Sequence, residues 1–457
     1  MMYPLTLQQL ATCVGGEIQA STNQKISSVV IDARQVTAGA LFVALAGQKV
    51  DGHSFLDQAH SHQASAALVE EWQASPLAQI KVPSSVAALG ALAGYNRQLF
   101  KAPLIAVTGN SGKTSVKEML AAMLTAHFKQ VLATEGNLNN ELGVPLTLLR
   151  LQPHHAAAVV ELGANHLQEI DYLASLAKPD VGIITNVTGA HLGEFGSLQA
   201  IAQAKAELFA QVKADACVVL NADDAFYDFW CQQAQAVNKI ISFGFNQADV
   251  AAKNVQLDKL GNACFMAVTP WGEQAIDLPL PGKHNVANAL AAIAAAGHLG
   301  VPLAVQAEAL HKLQPVPGRL HRVNAWGGAL LLDDSYNASP DAVKSAIDLL
   351  AALPASKKIL ALGSLAELGA ATDAIHIELG EYARQQGLNG LFALKGKASL
   401  AAKAFGEGGK VAASHQALAE LLKPELDANT CLLVKGSRSA AMDKLVVLLS
   451  SLTKQLD

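Results

Sequence analysis

The sequence has few aromatic residues, no dense run of positive charge and no paired cysteines. Aromatic residues are 5% of the 457 residues while 51% are hydrophobic, so alanine, leucine and valine must build interiors of the kind found in layered α/β proteins. The formal net charge of -5 argues against a nucleic-acid partner. The five cysteines lie far apart and in no metal-ligand spacing, which indicates reduced thiols that serve in packing, in a reducing compartment.

Signals for export or for a membrane span are also missing. Residues 1–16 are polar and the first basic residue is Lys25, which does not match a secretory signal. The longest weakly apolar stretch, 289–305, is rich in alanine and is interrupted by His298 and Pro302, so it does not predict a membrane span. We therefore expect a cytoplasmic protein, with a monomer as the default state.

Length and strand rhythm predict an α/β protein of three domains, because one domain takes about 150 residues. Residues 1–100 have the short apolar runs and turn clusters of a small mixed α/β domain. Residues 101–315 alternate strands and amphipathic helices in the rhythm of a parallel sheet, with a hairpin at 264–280. Residues 316–457 restart that rhythm as a doubly wound, Rossmann-like domain. The Pro- and Gly-containing junction 315–318 is a hypothetical hinge.

A phosphate loop is predicted between the apolar strand 104–107 and a helix whose apolar residues share one face. Loop amides and the helix start would bind phosphate, with Lys113 at the terminal phosphates and Thr114 at a magnesium ion. The common motif has glycine where this chain has Val107, which weakens an ordinary GTPase or kinase interpretation. The alternative is a tight turn with a solvated lysine. The loop comprises Thr108, Gly109, Asn110, Ser111, Gly112, Lys113 and Thr114.

Polar residues follow the next two predicted strands. Glu161 comes directly after the strand 156–160, at the sheet edge where ligands bind, and can ligate magnesium. The alternative is a carboxylate that only accepts hydrogen bonds from loop amides. His191 follows the strand 181–185 in the same way, although a lone loop histidine is more often a surface residue.

Lys205 lies on the apolar face of a predicted helix, together with Ile201, Leu208 and Val212. Its charge therefore needs an explanation. Either its stem lies along an apolar surface with the ammonium group in water, or the amine is chemically modified.

Five segments resemble the Mur ligase family and occur in the family's order, so that the resemblance covers nearly the whole chain. The segments are 108–115, 161–163, 186–191, 204–207 and 282–289. The resemblance implies an ATP-dependent ligase that activates a carboxylate as an acyl-phosphate and joins it to an amine. It also implies that residues 1–100 bind a UDP-sugar substrate, 101–315 bind ATP and 316–457 complete the ligase.

The resemblance further implies roles for single residues. Lys113, Glu161, His191 and Lys205 would be catalytic. Magnesium would be held by Thr114, Glu161, His191 and Lys205, the lysine as a carbamate. Asn288 would contact adenine, Arg319 would contact the ATP phosphates, and Asp334 would contact the ribose.

Within the family, the segments 137–145, 163–166, 333–340 and 434–438 resemble the member that adds D-alanyl-D-alanine to UDP-N-acetylmuramoyl-tripeptide in peptidoglycan precursor synthesis. This chain departs from that member's usual sequence at three places that concern the substrates. Ala33 replaces a residue with a hydroxyl group, Gln168 replaces a glycine, and residues 364–365 replace an Asp-Met pair. The implied substrate contacts are Asp32, Arg34, Asn139, Tyr336, Asn337 and Lys435.

Three other functions stay open at this point. The chain could be a P-loop phosphatase or kinase that forms no amide, a catalytically silent nucleotide or UDP-sugar binder, or a family relative that adds another amino acid.

Overall fold

The structure, a computed structural model, describes residues 2–19, 25–47, 50–189, 192–213 and 215–450. Its three larger sheets have nine, six and five strands. Each contains parallel strands connected through helices, which confirms the predicted α/β class. The domain boundaries near 100 and 315 stay predictions.

The N-terminal region builds the five-stranded sheet, in the order β2-β7-β6-β5-β4. Strands β4 to β7 are parallel, and β2 pairs antiparallel with β7 at one edge. Its elements are β1 (Leu5–Thr6), α1 (Leu7–Val14), β2 (Glu17–Ile18), β3 (Lys25–Ile26), β4 (Ser28–Val30), β5 (Ala40–Val43), α2 (Leu56–Ser61), β6 (Ala66–Val69), β7 (Ala78–Lys81) and α3 (Ser85–Leu99).

The central region builds the nine-stranded sheet, in the order β16-β15-β14-β13-β12-β11-β8-β10-β9. Its elements are β8 (Leu104–Thr108), α4 (Lys113–Phe128), β9 (Val131–Ala133), α5 (Gly143–Leu148), β10 (Ala157–Glu161), α6 (Glu169–Ala177), β11 (Val181–Ile184), α7 (Leu192–Phe195), α8 (Leu198–Ala206), α9 (Leu208–Gln211), β12 (Cys217–Asn221), α10 (Tyr227–Gln233), β13 (Lys239–Gly244), β14 (Val250–Leu257), β15 (Asn262–Thr269), β16 (Gly272–Pro281), α11 (Lys283–His298) and α12 (Leu303–His311).

The C-terminal region builds the six-stranded sheet, in the order β17-β18-β22-β19-β20-β21, with β17 antiparallel and the other strands parallel. Separate hydrophobic clusters cover its two faces, as in a doubly wound domain. Its elements are β17 (His321–Asn324), β18 (Leu330–Asp334), α13 (Pro340–Ala352), β19 (Lys357–Leu362), α14 (Thr372–Gln385), β20 (Gly390–Leu394), α15 (Ala398–Phe405), β21 (Gly409–Ala412), α16 (His415–Leu422), β22 (Thr430–Lys435) and α17 (Asp443–Leu449).

The central sheet positions the predicted phosphate loop. Strands β8, β10 and β11 are buried along their whole length, because helices cover both faces of a parallel sheet. Helix α11 is buried on nearly all sides and packs on α4 and the sheet. The alanine-rich stretch is therefore a core helix, and among the described residues no helix is long and apolar enough to cross a membrane.

Helix α3 packs across the predicted first boundary. Ser84 caps its N-terminus, because the Ser84 side chain accepts a hydrogen bond from the Ala87 amide. The apolar residues of α3 pack on α5 and α6 of the central region. One hydrophobic cluster therefore includes both N-terminal and central residues. The N-terminal sheet is thus attached to the central region through a shared core.

The interpretation of all five cysteines as packing residues is wrong for one of them. Cys217 and Cys431 are buried and all five are free thiols, as predicted, but Cys264 is exposed on β15. Alternate residues of an antiparallel strand at the edge of the domain face solvent, and Cys264 lies on that face.

Candidate active site

A cleft of about 960 Å³ lies between the central and C-terminal regions. The phosphate loop, the ends of β10 and β11 and the start of α11 form one wall. Residues 336–339, 366–368, 435 and 437–439 form the other wall. The cleft lies at the carboxyl ends of parallel strands, which is where open α/β sheets bind ligands.

Two glycines in the phosphate loop have backbones that other residues rarely adopt. Gly109 has φ 137° and Gly112 has φ 81°. A Cβ atom on Gly109 would lie 1.9 Å from Thr185 Oγ1, and one on Gly112 would lie 2.3 Å from Asn288 Oδ1. Glycine is therefore required at both positions.

Some amides of the loop are used to hold the loop itself. Asn110 N–H donates to the Asn186 carbonyl (3.0 Å), and Ser111 N–H donates to Asn186 Oδ1 (3.0 Å). In helix α4, the first backbone hydrogen bond between residues four apart runs from the Val116 N–H to the Gly112 carbonyl (2.8 Å). The amides of Lys113 and Thr114 therefore precede it at the helix start, where a phosphate would bind.

Lys113 turns back over the loop. Its Nζ donates to the carbonyls of Gly109 (2.7 Å) and Asn110 (3.1 Å). Burial lowers the pKa of Lys113, and the negative charge of Glu161 acts in the opposite direction. The ammonium group of Lys113 is therefore held against the loop, on a side chain that also lines the cleft.

The predicted magnesium ligands Thr114 and Glu161 meet at the base of the cleft. Thr114 Oγ1 donates to Glu161 Oε2 (2.8 Å), and Asn139 Nδ2 donates to Glu161 Oε1 (2.8 Å). Arg319 Nη2 reaches the same hydroxyl from the C-terminal region (2.8 Å). The structure therefore brings together four predicted site residues that lie far apart in the chain.

These oxygen atoms suit magnesium. Within the described ranges, no three His, Cys, Asp or Glu side chains form a cluster that could hold a metal ion. Magnesium, however, usually binds through one or two carboxylates together with phosphates and water, and Thr114 with Glu161 supplies such a partial set. His191, another predicted magnesium ligand, lies outside the described residues.

Lys205 is buried, with 2% of its surface exposed. Burial and the nearby charge of Lys113 lower its pKa to about 7. Its Nζ lies 5.5 Å from the centre of the Phe195 ring. The alternative in which its ammonium group reaches water is therefore wrong.

The helix that carries Lys205 is tied to α6 through Glu207. The Glu207 carboxylate accepts from the amides of Gln168 (2.7 Å) and Asp171 (3.1 Å). Gln168 has φ 72°, a conformation that favours glycine and costs another residue roughly 1–2 kcal/mol. This explains structurally why a glycine would suit that position.

The opposite wall carries the other predicted contacts. The Arg319 guanidinium stacks on Tyr336, 4.4 Å from the ring centre. Lys435 Nζ pairs with Asp334 and donates to the Asn337 carbonyl (3.0 Å). Asn288 faces this wall from the central region, beside Gly112.

Asp32 and Arg34 are not part of this cleft. They form an exposed pair in the N-terminal region, with Arg34 Nη2 2.7 Å from Asp32 Oδ2. Hydrogen bonds from Arg34 lower the pKa of Asp32 to about 2. If these two residues bind substrate, they do so in a separate region of the molecule.

Three residues of the site were not among the predicted site residues. Asn186 holds the phosphate loop, and Asp224 accepts from the Val187 amide (2.7 Å) and so holds the segment after β11. His284 lines the cleft, and burial lowers its pKa while Asp334 acts in the opposite direction. Asn186 carries a usable sequence signal, because it follows a strand as Glu161 does.

Comparisons with known proteins give the same family over the whole chain. The matching family models are the Mur ligase family, catalytic domain (residues 25–97), the Mur ligase middle domain (107–296) and the Mur ligase, glutamate ligase domain (318–438). The chain is 41% identical over 449 residues to UDP-N-acetylmuramoyl-tripeptide--D-alanyl-D-alanine ligase of Escherichia coli strain K12, covering 97% of this chain and 98% of the relative.

Two solved structures are similar along nearly the whole chain. A crystal structure of MurF from Acinetobacter baumannii has a TM-score of 0.92 and 34% identity, covering 98% of both chains. MurF ligase from Thermotoga maritima in complex with ADP has a TM-score of 0.83 and 28% identity, covering 92% of this chain and 96% of the other.

Proposed function

Because this chain belongs to the Mur ligase family, we propose that its cleft is the site of an ATP-dependent ligase reaction that adds D-alanyl-D-alanine to UDP-N-acetylmuramoyl-tripeptide. The E. coli relative carries the name of that activity and aligns over 97% of this chain. The reaction belongs to peptidoglycan precursor synthesis. The observation that carries the proposal is that the phosphate loop and Glu161 line one cleft, where Thr114 of the loop donates to the Glu161 carboxylate.

A carboxylate must be activated before an amine can attack it, because its anionic oxygen is a poor leaving group. The γ-phosphoryl group of ATP passes to the terminal carboxylate of the tripeptide and gives an acyl-phosphate and ADP. Lys113 and the amides at the start of α4 offset the negative charge of the moving phosphoryl group. The similar T. maritima structure contains ADP, which supports nucleotide binding in this family.

Arg319 adds a second positive charge from the C-terminal region. In the structure its guanidinium lies on Thr114 Oγ1 (2.8 Å) and on the Tyr336 ring. A phosphate bound in the loop would lie within reach of this guanidinium, which suits bidentate contacts to phosphate oxygens. Arg319 would therefore connect nucleotide binding to closure of the C-terminal region.

Magnesium is the metal that the donor atoms suit, with Thr114 and Glu161 as protein ligands and His191 and Lys205 completing the set. When bound, it would supply positive charge that offsets the negative charge of the phosphate groups. Asn139 holds the Glu161 carboxylate in place from the other side (2.8 Å).

Lys205 would act as a carbamate. A pKa of about 7 leaves a large share of the amine neutral near neutral pH, and only the neutral amine attacks CO₂. An N–C bond then forms and a proton leaves to solvent, so that the buried cation becomes an anion beside the phosphate loop. This change accounts for a lysine with only 2% of its surface exposed beside the phosphate loop.

The amine of D-alanyl-D-alanine then attacks the acyl carbonyl, phosphate leaves, and the amide forms. The C-terminal wall would hold the dipeptide through Asn337 and Lys435, whose positions are set by the Lys435–Asp334 pair. Closing the two walls excludes water, which would otherwise hydrolyse the acyl-phosphate. The N-terminal region would hold the uridine diphosphate through Asp32 and Arg34.

We also propose a cytoplasmic location and a monomeric state. The reaction consumes ATP, and the five cysteines are free thiols, which suits a reducing compartment. Size-exclusion chromatography with light scattering tests the monomer.

The decisive experiment is coupled ADP release with UDP-N-acetylmuramoyl-tripeptide, with and without D-alanyl-D-alanine. We expect release to require the dipeptide, and Lys113→Ala to lower kcat by at least about 100-fold. Lys312→Ala, at an exposed lysine directly after α12, is the control and should match the parent. Tripeptides ending in diaminopimelate and in lysine are compared in parallel.

Release that is independent of the dipeptide would instead indicate a phosphatase or a kinase. Release with another amine, and none with D-alanyl-D-alanine, would assign a different member of the family. No release with any amine would indicate a silent nucleotide-binding protein.

A further inference from the structure

A buried histidine in the C-terminal region holds part of the cleft wall by two hydrogen bonds. His376 lies on α14 with no exposed surface. The Leu365 N–H donates to its Nε2 (3.1 Å), and its Nδ1 lies 2.7 Å from the Thr372 carbonyl oxygen. Because an amide can only donate and a carbonyl can only accept, Nε2 must be the acceptor and Nδ1 must carry the proton.

The residues held in this way are 364–369, which we name the cleft loop. Its members Ala366, Glu367 and Leu368 line the cleft. Glu367 has φ 63°, which is a costly conformation for a residue with a side chain. Such a backbone persists only when its surroundings enforce it, and the hydrogen bond from Leu365 to His376 is one contact that does so.

The cleft loop also reaches the central region. The Glu367 carbonyl accepts from the Gly193 amide on α7 (3.1 Å). At its other end, the Ser364 carbonyl accepts from the Ser437 hydroxyl (2.6 Å). A change in the backbone at Leu365 would therefore move a wall that faces both the substrates and the central region.

We propose that His376, in its neutral form, is a positioning residue that holds the cleft loop in the geometry needed to bind the amine substrate. The inference rests on the proposed function, in which ATP lies on the phosphate-loop wall and the dipeptide on the C-terminal wall. His376 touches no substrate and acts through the backbone of Leu365.

Protonation would remove the contact. A second N–H on the ring, at Nε2, would face the Leu365 N–H, so that two donors would oppose each other. Burial lowers the pKa of His376, with Asp373 acting to raise it and Lys397 to lower it. The neutral form therefore holds at neutral pH, and the contact is lost only as the pH falls below the usual range of histidine.

The charged groups around His376 are otherwise paired. Asp373 and Lys397 form an ion pair (2.6 Å) between α14 and the start of α15. On the α13 side, Lys344 pairs with Glu378, and Tyr382 donates to Asp348 (2.6 Å). His376 is the titratable side chain that contacts the Leu365 amide.

Two amide variants separate the two hydrogen bonds. In His376→Asn the side chain can still donate to Thr372 but is too short to accept from Leu365. In His376→Gln the longer side chain can place its oxygen near the Nε2 position. We expect His376→Asn to raise the KM for D-alanyl-D-alanine about 10-fold, which is the effect of one lost buried hydrogen bond, while the KM for ATP changes by less than about twofold.

His376→Gln should recover most of that loss. The KM for the dipeptide should rise in both proteins as the pH is lowered, because the amine of the dipeptide is protonated. It should rise more steeply in the parent than in His376→Gln, because the glutamine amide does not titrate. Equal KM values for the parent and His376→Asn would overturn the proposal. So would a parallel rise in the KM values for ATP and the dipeptide, which indicates a general loss of structure.

A measurement on the unaltered protein covers the case in which the variants do not fold. Hydrogen exchange of the peptide that contains Leu365, corrected for the intrinsic pH dependence, should lose protection as the pH falls. Protection that stays constant in the acid range would overturn the proposal. If the parent does not use D-alanyl-D-alanine at all, the proposed function fails, and the exchange result still decides the role of His376.

Discussion

At the scale of residues, Lys205 shows how position changes chemistry. A lysine on an apolar helix face can extend its ammonium group into water, but here only 2% of the residue is exposed and its pKa is lowered to about 7. The charged form is the one that burial disfavours. Its protonated state therefore destabilises the folded protein, and this cost disappears as the amine loses its proton.

The first prediction concerns the pH dependence of this cost. The folded pKa lies near 7 and the ordinary pKa of an exposed lysine is 10.5, so between these values the unfolded chain binds more protons and stability rises with pH. Lys205→Met lacks this dependence. Its advantage in free energy of unfolding over the parent should be largest below pH 7 and shrink by about 3 kcal/mol by pH 9.5.

Urea denaturation of both proteins in nucleotide-free and CO₂-free buffer measures this difference. Lys312→Met, at an exposed lysine, is the control and should follow the parent at every pH. If Lys205→Met and the parent respond to pH in parallel, the lysine is not buried as a free amine.

Gly112 illustrates a second constraint at the residue scale, and the second prediction compares it with Gly300. The two glycines have nearly the same φ, 81° and 80°. A Cβ atom added to Gly112 would lie 2.3 Å from Asn288 Oδ1, whereas a Cβ atom added to Gly300 would have no neighbouring atom within 4 Å. Gly300→Ala should cost roughly 1–2 kcal/mol of stability from backbone strain alone. Gly112→Ala should in addition abolish ATP binding in calorimetric titration. Equal ATP affinities in the two variants would contradict the fit described for the loop.

At the scale of elements, α3 joins the N-terminal and central regions. Its last turn carries Arg97, whose side chain is 4% exposed. The guanidinium donates to the carbonyls of Ala177 (2.6 Å) and Lys178 (3.0 Å) and to the Asp180 carboxylate (3.0 Å). One side chain therefore satisfies the end of α6 from the neighbouring region, as a helix end requires.

The third prediction is that Arg97→Ala lowers the free energy of unfolding by about 3 kcal/mol, because it leaves buried carbonyls and part of a carboxylate without a donor. Urea denaturation measures the change. The comparison variant Glu308→Ala removes an exposed pair with Lys312 and should change stability by less than about 1 kcal/mol. Similar small effects in both variants would mean that α3 is not held by this residue.

At the scale of the whole molecule, the predicted substrate contacts lie in two places. The cleft contains the phosphate loop, Arg319 and Lys435, whereas Asp32 and Arg34 lie in the N-terminal sheet region outside it. A division of this kind suits the proposed ligase reaction, in which the nucleotide end of a long substrate would bind outside the cleft that holds the reacting carboxylate. The hinge at 315–318 remains a hypothesis. Superimposable free and ligand-bound structures would contradict it.

The fourth prediction tests this division. Arg34→Ala should raise the KM for UDP-N-acetylmuramoyl-tripeptide about 10-fold through the loss of a charge-assisted contact, with the KM for ATP unchanged. Steady-state kinetics with each substrate varied in turn gives both values, and ATP serves as the internal control. A change in the ATP constant alone would place Arg34 in a different role.

Much of the fold could be predicted from local patterns. The strand before the phosphate loop, the helix after it and the hairpin later found as β15 and β16 all follow from residues that are close in sequence. The Gly109 and Gly112 conformations are equally local. Exposure of Cys264 could not be predicted in this way, because it depends on which face of β15 packs on the rest of the domain.

The sequence by itself determined the loop chemistry, the order of strands and helices along the chain, and the family. Only the tertiary structure decided that Thr114, Glu161 and Arg319 meet, that Lys205 is closed off from water, and that His376 supports the cleft loop. The physical reason is distance along the chain. Spacing within one element follows from backbone geometry, whereas Arg319 reaches Thr114 across 205 positions only because the central and C-terminal regions pack against each other.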